Sequence, residues 1–179
     1  VSYRASQVRR KLLRTDPEGD ADDLRAALLL LLTGLLAGCV SSGSTDPLRT
    51  DEGRQQARDA YIQLGIGYLQ QGAAARAKTP LRKALEIDPN SADAHAALAL
   101  VFQTEMENDL ADKHYREALS SRKDARILNN YGSFLFEQKR YPEAMERFRQ
   151  ASEDNMYSER ARVFQNLGMT ALQLGQRKE

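Results

Sequence analysis

Few residues in this 179-residue chain are of types that carry chemistry, and the most reactive of them stands alone. Cys39 is the single cysteine. Its thiol can act as a nucleophile or take up a thioether, but one thiol builds neither a disulfide framework nor a cysteine-based zinc site within a chain. The two histidines are His95 and His114. No group of His, Asp and Glu along the sequence shows metal-ligand spacing, and no Gly-rich phosphate loop follows a strand. Serines gather at 41–44, away from any base. A formal charge of +1, from 26 Lys and Arg against 25 Asp and Glu, points away from nucleic acid or an acidic substrate. The expectation is a protein-binding chain with no catalytic residues, no metal, no cofactor and no small-molecule substrate.

The setting of Cys39 gives its thiol a purpose. Arg25 precedes an apolar run from Ala26 to Leu36, the length of a signal-peptide core and shorter than the ~20 apolar residues that span a bilayer. The run ends in Leu36-Ala37-Gly38-Cys39, which resembles a bacterial lipobox: small residues admit the chain to the peptidase groove and the thiol takes a diacylglyceryl group. The alternative, a buried helix ending in an incidental cysteine, sits badly with the polar stretch Ser41-Ser42-Gly43-Ser44-Thr45-Asp46-Pro47 that follows. Val40 stands where enteric bacteria place Asp to retain lipoproteins at the inner membrane, so the resemblance implies the periplasmic face of the outer membrane. Cleavage before Cys39 removes six basic and five acidic residues and leaves 20 of each. Attachment then rests on the acyl chains, at about 0.8 kcal/mol per buried CH2.

Everything after the linker must position a binding surface, and its pattern is helical. In 58–91, apolar and small residues fall at Tyr61, Leu64, Gly65, Tyr68, then Ala77, Leu81, Ala84 and Leu85. Two helices separated by Gly72 and closed by Pro89 make an antiparallel hairpin. Moving on by 34 residues turns Gly65 into Ala99, Tyr68 into Phe102, Ala77 into Ala111, Leu81 into Tyr115 and Ala84 into Ala118. A further 33 residues gives Gly132, Leu135, Ala144, Phe148 and Ala151, and a fourth start appears at Phe164, Leu167 and Gly168. The pattern resembles the tetratricopeptide repeat (TPR), in which small columns let paired helices approach and stacked hairpins bury one continuous core. The fold expected is all-α, a TPR-like solenoid of helical hairpins behind a lipoprotein signal peptide and a linker.

The chain divides accordingly. Residues 1–24 have no apolar period and read as upstream sequence from a start called too early, with a disordered extension as the other reading. Residues 25–38 are the signal peptide, and 39–51 the lipidated cysteine and flexible linker. Residues 52–91, 92–124 and 125–158 are three repeats, and 159–179 the first helix of a truncated fourth. That ending leaves Phe164, Leu167 and Ala171 partly uncovered. His95 shares a column with Tyr61, Leu128 and Phe164 and reads as half-buried packing; His114 reads as surface. Pro80, inside the second helix of the first repeat, predicts at most a slight kink.

In such arrays the first helix of each repeat lines an inner groove. The expected partner-binding residues are Ile62, Ile66, Leu69 and Gln70 in the first repeat, Leu100 and Gln103 in the second, and Asn129 and Phe136 in the third. Ile62, Ile66, Leu69, Leu100 and Phe136 would form an exposed apolar strip, unless the chain before Arg58 folds back over it. Ile62 and Ile66 stand where a carboxylate-clamping TPR would need Lys and Asn, which disfavours a cytosolic co-chaperone. The lipobox, the linker, and the segments Ala60 to Gly65, Leu81 to Leu85, Ala94 to Glu107 and Leu128 to Tyr141 together resemble the type IV pilus pilotin family, PilF and PilW. That resemblance implies an outer-membrane lipoprotein that binds the secretin subunit and promotes its localisation and multimer assembly, for pilus biogenesis and twitching motility. A general periplasmic TPR lipoprotein scaffolding envelope enzymes shares every feature except the two longer segments. An enzyme with its catalytic half beyond residue 179 is the third class.

Overall fold

Helix starts in this chain are written in its caps. The computed structural model describes residues 47–175. After a 3-10 turn at Pro47–Arg49, α1 runs Asp51–Gln70, α2 Ala74–Ile87, α3 Ala92–Thr104, α4 Asn108–Ser121, α5 Ala125–Glu137, α6 Tyr141–Ser152 and α7 Arg160–Gln173. Thr50 opens α1 by accepting the Gly53 amide at 3.0 Å, with Asp51 and Glu52 placed at the positive end of the helix dipole. Ser91 caps α3 on the Ala94 amide, and Asp124 caps α5 on those of Arg126 and Ile127. The helices pair as α1 with α2, α3 with α4 and α5 with α6, and α7 packs on α6 and α5. No strand occurs among the described residues. The all-α TPR solenoid is therefore the fold, while the signal peptide and Cys39 lie outside the described residues. α2 continues through Pro80, which is buried.

The repeat columns explain the packing. Ala77, Ala111 and Ala144 are fully buried, as are Ala84, Ala118 and Ala151. Between them on the same helix faces stand Leu81, Tyr115 and Phe148, each at most 1% exposed. Gly65 and Gly132 mark the closest approaches within a hairpin. A Cβ at Gly65 would lie 2.5 Å from Leu81 Cγ, and one at Gly132 would lie 2.6 Å from Phe148 Cε1. Gly168 occupies the same column in α7 and has open space where the others meet a helix. The same substitution should thus act with opposite sign. Gly132→Ala is expected to destabilise by roughly 1–3 kcal/mol through overpacking, and Gly168→Ala to stabilise by about 0.5–1 kcal/mol through helix propensity. Urea melts of the two variants check this; equal shifts would put the register in error.

Each hairpin turns through one residue with left-handed backbone. At the end of α1 this is Gly72, with φ 71°; its amide bonds the Leu69 carbonyl while the Ala73 amide reaches back to Tyr68. This six-to-one closure recurs after α3 and α5, but there the left-handed residues are Met106 (φ 62°) and Lys139 (φ 60°). A side chain at such a φ costs about 1–2 kcal/mol. Met106 is 84% exposed and loses no packing on truncation. Met106→Gly is expected to raise stability by roughly 0.5–1 kcal/mol after glycine's entropy cost is deducted, seen as a higher thermal midpoint.

Between the second and third hairpins the core is aromatic. Tyr115 stacks on Tyr131 at 5.1 Å between centroids, and Phe134 sits 5.6 Å from Tyr115. Half-buried Asp112 takes the Tyr131 hydroxyl at 2.9 Å and the guanidinium groups of Arg140 and Arg116 at 2.6 and 2.7 Å, joining α4, α5 and the start of α6. α7 leaves Phe164 half exposed, with Met169 and Leu172 exposed beside it and Leu167 and Ala171 partly covered.

Candidate protein-binding groove

The first helices of the first two repeats, α1 and α3, stand side by side and enclose a groove of about 920 Å³ that reaches the start of α5. Its apolar lining comes from Ile62, Ile66 and Leu69 of α1 and Ala97 and Leu100 of α3. Gln63, Gln70, Thr104 and Asn130 supply uncharged polar groups, and Arg58, Asp59, Asp93 and Arg126 the charges. Two of the charged residues also hold the helices in place, Arg58 within the first repeat and Asp93 across to the third. Arg58 bonds Asp59 at 2.8 Å and Asp88, beyond α2, at 3.1 Å; the Asp59 bond does most to raise its pKa against the opposing effect of burial. Asp93 holds Arg122 at 2.8 Å and Arg126 at 2.5 Å, across to the third repeat. Exposed pairs of this kind contribute little stability; their effect is to hold the charges in place around the apolar floor. Residues 51–57 continue α1 and do not fold back over the groove.

The structure brings five of the expected residues to this groove: Ile62, Ile66, Leu69, Gln70 and Leu100. Ile62 needs correction in one respect, because it is 4% exposed and packs with Ala84 and Ala94 instead of standing free. Asn129 is 2% exposed, and its Oδ1 accepts the Asn166 side-chain amide at 3.0 Å, so it cannot orient a partner's backbone. The cause is common to both. Ile62 and Asn129 share a column that packs against the next repeat's first helix, and the column one residue on, Gln63, Ala97 and Asn130, lines the groove beside Ile62.

Gln103 and Phe136 also lie elsewhere. The Gln103 carbonyl oxygen accepts the Tyr115 hydroxyl at 3.0 Å, and its amide donates to Glu137 at 2.7 Å, so both ends are occupied. Phe136 packs edge-on against Tyr141 and lines a separate cavity of about 200 Å³ with Ser133, Glu137, Phe148, Asn166 and Met169. His114 is half-buried, stacked on Phe102, and not a surface residue.

Tetratricopeptide-repeat profiles match residues 59–91 and 125–154. The Pseudomonas aeruginosa type IV pilus assembly protein PilF is 65% identical over 152 residues, which are 84% of this chain and 60% of that protein. The chain belongs to the PilF/PilW family. Its helices superpose on the solved structure of P. aeruginosa PilF with a TM-score of 0.68 at 66% identity, over 69% of this chain and 56% of that one. For PilW, a type IV pilus biogenesis factor, the TM-score is 0.64 at 31% identity, over 68% and 56%. The chain therefore spans somewhat more than half the length of these family members, and the part it spans includes the groove between α1 and α3. Arg58, Gln63, Ala97 and Asn130 also line the groove without having been expected there, and the last three share one repeat column.

Proposed function

We propose that this chain is a pilotin: a lipid-anchored TPR protein on the periplasmic face of the outer membrane that binds the type IV pilus secretin subunit and promotes its localisation and multimer assembly. The observation that carries this reading is the 65% identity to a type IV pilus assembly protein over most of the chain. The lipobox Leu36-Ala37-Gly38-Cys39 supports the anchor. The apolar groove between α1 and α3 supports a role in holding a protein segment, with side chains seated on Ile66, Leu69 and Leu100. The chain acts as a scaffold in this reading and catalyses nothing.

The test is complementation. A Gram-negative host with its own pilotin gene deleted should regain secretin multimers in the outer membrane, and twitching motility, when it expresses this chain. A general envelope scaffold would leave multimer levels at those of the deletion strain.

A further inference from the structure

His95 and His114 are 19 residues apart in sequence, yet their Nδ1 atoms lie 2.9 Å apart. Glu117 Oε2 is 3.1 Å from the first and 3.6 Å from the second. The tautomer of His95 follows from its other nitrogen. Nε2 sits 2.9 Å from the Pro89 carbonyl, which can only accept, so Nε2 carries the proton and Nδ1 presents a lone pair. Three electron-rich atoms thus converge on one point. A single proton on His114 Nδ1 can serve its own two contacts but leaves His95 Nδ1 facing Glu117 Oε2 lone pair to lone pair at 3.1 Å.

We infer that His95 Nδ1, His114 Nδ1 and Glu117 Oε2 form a binding site for a divalent transition-metal ion of the zinc class. A tetrahedral ion at ~2.0–2.1 Å from its ligands spaces them by about 3.3 Å, and the three observed separations bracket that value. The Pro89 carbonyl is the outer partner that orients a ligating imidazole. Phe102, stacked on His114 at 5.3 Å, walls one side. Lys113 approaches Glu117 through the other oxygen, Oε1, at 3.9 Å and leaves Oε2 to the site. Glu117 is 40% exposed and opens the site to solvent, where water completes the fourth position. The ion would cross-link α3 to α4 and, through His95, fix the Pro89 turn between the first two repeats. This inference is independent of the secretin reading.

The probe is Co2+, followed by its visible d–d bands, and then Zn2+, followed by thermal shift. Both are applied to the untagged full chain carrying Cys39→Ala, which removes the lone thiol. Expected are tetrahedral Co2+ bands saturating at one ion per chain and a higher midpoint with Zn2+. Glu117→Gln keeps the fold, since the change preserves the shape of a side chain already 40% exposed, and should lower affinity by more than the about 10–100-fold that loss of an outer partner costs. His114→Gln should do the same. Bands that never saturate, or saturation unchanged by Glu117→Gln in a chain with unchanged circular dichroism, would overturn the site.

Discussion

Cys39→Ala should abolish acylation and release the chain from the outer membrane. Expressed in a Gram-negative host, the parent takes up labelled fatty acid and floats with outer membrane on a density gradient, and the variant does neither. The effect is expected to be all-or-none because, among the described residues, no helix is long and apolar enough to cross a membrane. With 20 basic and 20 acidic residues after Cys39, there is no net charge to hold it on an anionic surface. Two or three acyl chains, at about 0.8 kcal/mol per buried CH2, far exceed what scattered surface apolar residues supply. Equal labelling of the two proteins would show that Leu36-Ala37-Gly38-Cys39 is not processed as a lipobox.

Ile66→Asp should weaken secretin binding more than thirtyfold without unfolding the repeats. Ile66 is half-buried in the floor of the groove, between Ile62 and Leu69 on α1 and opposite Leu100 on α3. A partner side chain seated there loses an apolar anchor and must desolvate a carboxylate instead. Truncating such an anchor commonly costs at least about 2 kcal/mol, which is about thirtyfold in Kd. Leu69→Ala should therefore reach about thirtyfold and Ile66→Asp exceed it. Gln103→Ala is the internal control. It breaks the bonds to Tyr115 and Glu137 and so lowers stability, but Gln103 does not line the groove. A binding loss for Gln103→Ala as large as that for Ile66→Asp would mean that the measurement reports unfolding.

The repeat register could be read directly because each hairpin obeys a steric rule. A small residue on one helix must face a large one on the other, and Gly65 with Leu81 and Gly132 with Phe148 leave their mark at fixed spacing. The groove was harder to read because periodicity separates a buried face from an exposed one, and α3 barely has an exposed face. From Ala94 to Ala99 every residue is buried. Nothing in that stretch distinguishes the side facing the next repeat from the side facing the groove, and one repeat further on Asn129 is read as a groove residue where its neighbour Asn130 is one. The hidden network of Gln103 had no local signal, since its partners Tyr115 and Glu137 lie 12 and 34 residues away. The same limit hid the histidine pair. His114 and Glu117 share a helix face at a spacing of three, but the third member comes from α3 only once the second hairpin closes.

The claim that the groove holds a secretin segment is tested most directly by titrating the purified secretin subunit into the full chain in detergent, beside Ile66→Asp. Saturable one-to-one binding to the parent and a loss exceeding thirtyfold for the variant are expected, with the two melting alike. Undetectable binding to the folded parent, or equal affinity for both, would contradict it.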